Sequence, residues 1–111
     1  MNDKRKLTKL YKMKTTINIY DFRTWFENNR PNNFSYSGLT ALFEYFEEYE
    51  HSTGESIEFD PISICCEYTE YENLKGFHQD YDEEDFPTMQ SIEENTQVIA
   101  FGKESFIILQ F

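Results

Sequence analysis

The sequence predicts an α+β domain: an antiparallel sheet of three to four strands with helices packed on one face. Three observations carry this. Helical apolar spacing dominates residues 22–53, period-two alternation marks 15–20 and 62–69, and the chain closes on two apolar runs separated by Gly102, Lys103 and Glu104. A length of 111 residues is one domain's worth, and folding at this size buries roughly two thirds of the surface of the unfolded chain. Eleven Phe, eight Tyr and one Trp belong to a packed core and not to an acidic disordered tail.

The elements follow in chain order. "MNDKRKLTKLYKMK", residues 1–14, holds six bases and one acid and reads as a flexible basic arm ahead of a single acidic domain, 15–111. Met13 within it resembles a second start. "TTINIY", 15–20, is β-branched and alternating, which predicts a strand. Asp21 then stands where an N-cap belongs, and Phe22, Trp25 and Phe26 share one helical face until the Asn pair and Pro31 end the helix.

"FSYSGLTALFEYFEEYEHSTG" is the clearest helix, with Ser35 or Ser37 as its cap and Gly54 at its stop. Leu39, Leu42, Phe43 and Phe46 form its apolar stripe, flanked by Tyr36 and Tyr49. Counted from Leu39, Glu44, Glu47 and Glu48 fall between about 80° and 180° around the axis, which places these acids along one side.

In "DPISICCEYTEY" the alternation of Ile62, Ile64, Cys66 and Tyr68 predicts a strand with Pro61 at its start, sending Cys66 to the core and Cys65 to the opposite face. "ENLKGFHQDY" reads as a short helix on Leu74, Phe77 and Tyr81. "DYDEEDFP" reads as a loop, and "TMQSIEENT" holds a short helical turn. "QVIAF" and "SFIILQF" form the closing hairpin.

The chemistry of the motifs is sparse. Vicinal cysteines on a strand point apart, so a disulfide between them is strained; His51 and His78 stand at no ligand spacing from them. Glu67, Glu70 and Glu72 surround the thiols with negative charge, which works against a thiolate nucleophile. The two cysteines are therefore expected to be small buried hydrophobes. "DYDEEDFPTMQS" has Asp85 and Ser91 where a calcium loop needs Gly and Glu. No phosphate loop, nucleophile elbow or zinc-protease motif is present, and the expectation is a protein that is not an enzyme and carries no cofactor or metal.

Charge is the stronger signal. From Pro31 to Phe111 there are eighteen acids against Lys75 and Lys103, a net of −16. Such a body repels nucleic acid and anionic membrane and favours basic protein surfaces. The expected partner surface comprises Glu44, Glu47 and Glu48 on the long helix, Glu67, Glu70, Tyr71 and Glu72 where the cysteine strand runs out, and Asp80, Asp82, Glu83, Glu84 and Asp85 in the loop. Tyr45 and Tyr68 stand beside these as aromatic anchors. With carboxylates in place of phosphates, the surface suits a cationic nucleic-acid groove.

The segments "INIYDFRTWFE", "FSYSGLTALFEYFEEYEHSTGESIEFDPISICCEYTEYENLKGF", "SIEENTQVI" and "SFIILQF" together resemble a family of small acidic proteins of bacteriophages and mobile elements. The family is similar in type to anti-CRISPR and anti-restriction proteins that imitate nucleic acid. The resemblance implies host takeover or counter-defence, and with the acidic face it leads to the expectation of an inhibitor of a defence enzyme, a CRISPR effector first and a restriction enzyme next. It implies a cytoplasmic setting in an infected bacterium. The alternatives are an immunity or antitoxin protein for a basic nuclease toxin, a generic interaction module, and a small enzyme using Cys65 or Cys66.

Overall fold

The computed structural model describes residues 11–12 and 18–111; the remainder of the expected arm, and the first half of the expected strand over 15–20, lie outside them. The described chain runs β1 (Tyr11–Lys12), α1 (Ile19–Asn29), α2 (Tyr36–Thr53), β2 (Glu58–Phe59), α3 (Pro61–Glu67), β3 (Tyr68–Tyr71), α4 (Leu74–Phe77), α5 (Met89–Glu93), β4 (Val98–Phe101) and β5 (Ser105–Leu109). The α+β class holds. A three-stranded antiparallel sheet in the order β3-β5-β4 forms its centre, and a two-stranded ladder, β1-β2, lies apart from it.

Two expectations about local structure are corrected. Ile19 and Tyr20, read as the end of a strand, open α1, because Asn18 and not Asp21 is the N-cap: its side chain accepts the Asp21 backbone N–H at 2.8 Å. Ile19, Phe22 and Phe26 then fall on one face, and tertiary burial of that face outweighs the strand preference of a β-branched residue. The strand expected from Ile62 begins only at Tyr68. Residues Pro61–Glu67 are helical because Asp60 caps them, accepting from the N–H and the hydroxyl of Ser63, while Pro61 occupies the first helical position with its φ already suited.

Helical geometry redistributes the alternating set. Ile64 is buried, Ile62 is 50% exposed, Cys65 packs partly against the core and Cys66 faces solvent. The expectation that Cys66 enters the core is therefore overturned, since a 100° step per residue replaces a 180° one.

β5 explains the packing. Ile107 faces one cluster, with Phe22 and Phe26 of α1, Leu39, Leu42, Phe43 and Phe46 of α2, and Ile99 of β4. Phe106 and Ile108 face a second cluster, with Phe77 and Ile92 buried and Tyr71, Tyr81 and Phe86 against them. The two long helices lie on one face, as expected, and the segment from α4 to α5 covers the other. Buried on both sides, the middle strand reads as an unbroken apolar run. The hairpin turn places Gly102 at φ 64°, a backbone region that disfavours side chains, and joins the two expected strands with Phe101 opposite Ser105.

Candidate functional site

The long helix α2 is set by its ends. Ser35 accepts the Gly38 N–H at 2.9 Å, and Gly54 closes the helix in the left-handed conformation at φ 76° with its N–H on the Glu50 carbonyl. Between those caps Glu44, Glu47 and Glu48 are exposed, one turn apart and on one side, as predicted. Together with Glu50 and His51 they line an open depression of about 430 Å³. Glu48 also accepts from the Ser52 hydroxyl at 3.1 Å, which steadies one wall.

Glu50 is absent from the sequence prediction, and it is the most unusual acid in the chain. It is 1% exposed, the one charged residue among the buried set of the described residues. Its Oε2 accepts the Ile57 N–H, and its Oε1 is buried with no hydrogen-bond partner among the described residues. The signal for it was legible. Glu50 lies four residues beyond Phe46 and seven beyond Phe43, on the continuation of the apolar stripe, where an aliphatic residue is the expected occupant.

The acids that follow the cysteines divide. Glu67 and Glu72 are exposed at the two ends of β3. Glu67 lines a smaller depression of about 160 Å³ with Glu58 and Asp60, two acids missed in the sequence because neither belongs to a charge run. Ile57 connects the depressions: its N–H meets Glu50 and its residue lines the smaller one. Glu70, by contrast, points inward. It sits opposite Ile107 on the face covered by α2, and its Oε1 accepts the Ser35 N–H at 2.9 Å. That carboxylate is an internal anion at a helix N-terminus, where the dipole favours it.

Tyr71 and Asp80 are likewise used internally. The Tyr71 hydroxyl donates to Asp80 Oδ2 at 2.8 Å, and its ring packs on Phe77 and Phe106. Burial and the neighbouring Asp80 push this phenol far above its ordinary pKa. Tyr45 and Tyr68 are half-buried edge-on partners of Phe46 and not protruding anchors. Tyr45 donates to Gln97 Oε1 at 3.3 Å, and burial raises Tyr68 to about 12.

Asp82, Glu83, Glu84 and Asp85 remain a solvent-facing acidic loop. Asp82 Oδ1 accepts the Glu84 N–H at 2.8 Å, a local turn that holds the loop's form. Tyr81 and Phe86 anchor its two ends: Tyr81 stacks on Phe77 at 4.4 Å and on Phe111 at 5.0 Å, and Phe86 packs edge-on against all three. Among the described residues no three His, Cys, Asp or Glu side chains converge in a metal-binding arrangement. Neither cysteine is bonded, and burial raises the Cys65 thiol against the opposing pull of Arg30.

Of the twelve predicted partner residues, three share the α2 depression, Glu67 and Glu72 flank β3, and four form the loop; Glu70, Tyr71 and Asp80 serve the fold. No helix among the described residues is long and apolar enough to cross a membrane. No protein-family model, curated protein or solved structure matches the chain.

Proposed function

We propose that this protein is a non-enzymatic inhibitor whose acidic surface occupies the nucleic-acid-binding groove of a host defence enzyme, a CRISPR effector first and a restriction enzyme next, in the cytoplasm of an infected bacterium. The observation that carries the reading is the exposed row Glu44, Glu47 and Glu48. Glu44 and Glu48 are separated by about 6 Å along a rigid helix, and the depression that the three line holds one further acid, the buried Glu50. Rigid, closely spaced anions are what a basic groove selects in a phosphate backbone, and ordered placement spares the complex the entropy of fixing flexible side chains. Glu58, Asp60 and Glu67 add further acids beyond Ile57, while the loop Asp82–Asp85 belongs to the segment on the other face of the sheet.

The test is competition. A purified effector or restriction enzyme is loaded with labelled nucleic acid, and displacement by this protein is measured across a salt series from about 0.05 to 0.5 M. Displacement that weakens steeply with salt supports the reading. Replacing Glu44, Glu47 and Glu48 together by Gln is expected to flatten the slope of log affinity on log salt by roughly one unit per charge removed. Binding that is insensitive to salt and leaves the nucleic acid in place sinks it. Stoichiometric capture of a basic nuclease toxin with loss of its toxicity would replace it by the immunity reading.

A further inference from the structure

We infer that the outer edge of β4 is a self-association surface, at which a second copy of this chain adds its own β4 antiparallel about a two-fold axis through Ile99. The proposed inhibition does not depend on this contact.

The hydrogen-bond phase of the ladder decides which groups that edge presents. Leu109 donates its N–H to the Gln97 carbonyl at 3.1 Å, and continuing the β4–β5 register places these two residues opposite one another. Hydrogen-bonded pairs recur at every second residue of an antiparallel ladder, so the backbone groups of Ile99 and Phe101 also face β5. Val98 and Ala100 therefore turn their N–H groups and carbonyls outward. Among the described residues no strand pairs with that side, and no backbone group bonds those of Val98 or Ala100 from it. Such a row of donors and acceptors is what a further strand satisfies. The sheet's other edge is closed to this: on β3 the Tyr68 N–H is taken by the Ile64 carbonyl at the end of α3, and Glu67, Glu70 and Glu72 lie along and beside the strand. Charge of that kind is how natural sheets keep edges apart. β4 carries none. Residues 95–102 contain no charged side chain, no proline and no bulge in their pairing.

The residues of the edge select a second copy as its occupant. A chain of net charge −11 is repelled by another of its kind except where little charge is brought together, and this uncharged edge is such a place. Pairing centred on Ile99 sets Val98 opposite the second copy's Ala100, and Ala100 opposite its Val98. Both become hydrogen-bonded pairs, and every outward group of the two strands is satisfied. Centring the axis on Val98 would instead set Ala100 opposite Thr96, whose N–H is already bonded to the Ile92 carbonyl. Centring it on Ala100 would set Val98 opposite Gly102, which lies in the turn at φ 64°. Side chains agree with the Ile99 axis. The larger Val98 meets the small, exposed Ala100 on one face of the extended sheet, and Ile99 meets its own copy on the other. A contact this short makes a weak dimer, with a Kd on the order of 10–100 µM.

The experiment is sedimentation equilibrium of the full chain from about 5 µM to about 1 mM, paired with amide hydrogen exchange read by NMR. A monomer–dimer equilibrium is expected within that range. It should tighten on adding salt, because screening removes the repulsion between two acidic bodies, whereas docking to a basic groove weakens. Exchange at the Val98 and Ala100 amides should slow roughly fivefold at the highest concentration, while the Ile99 amide, bonded to β5, is slow throughout. Ala100→Lys places a charge on the edge at an exposed side chain and should weaken association about tenfold or more with the urea midpoint kept. Ala100→Pro removes one outward N–H and no bond to β5, and it should weaken association likewise. A chain that stays monomeric at about 1 mM overturns the inference. So does a dimer in which the Val98 and Ala100 amides ignore concentration, or one that Ala100→Lys leaves intact. Slow exchange at both amides already in the dilute monomer means that the chain covers its own edge, and protection that comes only with a different protein assigns the edge to that protein; either result overturns the second copy. Association that weakens with salt assigns the contact to charged surfaces and overturns it too.

Discussion

Replacing Gly38 by alanine ought to stabilise a helix, and here it is expected to do the reverse. Gly38 lies in the first turn of α2, where alanine is ordinarily favoured by up to about 1 kcal/mol. A Cβ placed at Gly38 would lie 1.9 Å from Glu70 Oε1 and 2.8 Å from its carboxyl carbon. Glu70 must therefore leave, and with it goes the bond to the Ser35 N–H at 2.9 Å. A hydrogen bond to an ionised group contributes about 1.5–3 kcal/mol, reduced here because Glu70 is half-buried and water can replace part of it. The loss outweighs the propensity gain, and Gly38→Ala should destabilise by roughly 1 kcal/mol. With Glu70→Ala already in place the obstruction is gone, and the same substitution should be neutral or stabilising, with Ser35 Oγ at 3.1 Å the remaining tight neighbour. Urea denaturation of the four chains of this double-mutant cycle reads the coupling, expected at about 1–2 kcal/mol. Additive effects, or a stabilising Gly38→Ala in the wild-type background, would refute the placement of Glu70 at the helix terminus.

Three further outcomes follow from the packing and the ionisable groups. Phe106→Ala, at a fully buried position on the middle strand, should cost about 3–5 kcal/mol in chemical denaturation; a cost below about 1 kcal/mol would contradict the two-sided burial of β5. Tyr68 and Tyr71 have folded pKa values above the ordinary phenol value of 10.0, so the stability they contribute is complete below about pH 10 and declines as pH rises toward 12. Urea midpoints at pH 8 and pH 11 should differ in that direction, and Tyr71→Phe should lessen the difference. Cys66 should react with a thiol reagent well before Cys65, which is partly buried and has a raised pKa, as peptide mass mapping can resolve.

What was legible in the sequence is what local rules determine. The stop of α2 at Gly54, Ser35 as one of two candidate caps and the apolar stripe between them are legible because helix ends and helix period are both written within a few residues. The hairpin read correctly for the same reason. Misreadings arose where two local signals competed. Ile64 and Cys66 alternate like a strand, yet the Asp60-Pro61 pair starts a helix, and a cap with proline at the first position outweighed four alternating residues. Ile19 went the same way once Asn18 took the cap. Within the candidate site, exposed acids on a regular helix are legible by angle alone, whereas the hydrogen bonds that Glu70, Tyr71 and Asp80 make within the molecule are not. Those internal partners, Ser35 for Glu70 and Asp80 for Tyr71, depend on how elements pack, and no spacing announces them. Glu50 is legible only against the apolar stripe on which it falls, and a count of charge does not single it out.

The place of β5 between its two neighbours imposes an order on assembly. Its pairing with β4 needs only the turn at Gly102, Lys103 and Glu104 to close, a microsecond event on the scale of isolated hairpins. Its pairing with β3, Tyr68 to Leu109 and Tyr71 to Phe106, requires the whole excursion through α4, the acidic loop and α5 to be gathered in first. Longer closures cost more entropy and contacts distant in sequence slow folding, so the β3 seam forms late. During that interval the apolar flank of β5 stands open, and the negative charges on the Asp82–Asp85 loop repel a second chain from it. The carboxylates of that loop thus act, while each molecule is still folding, as a guard on its unfinished edge.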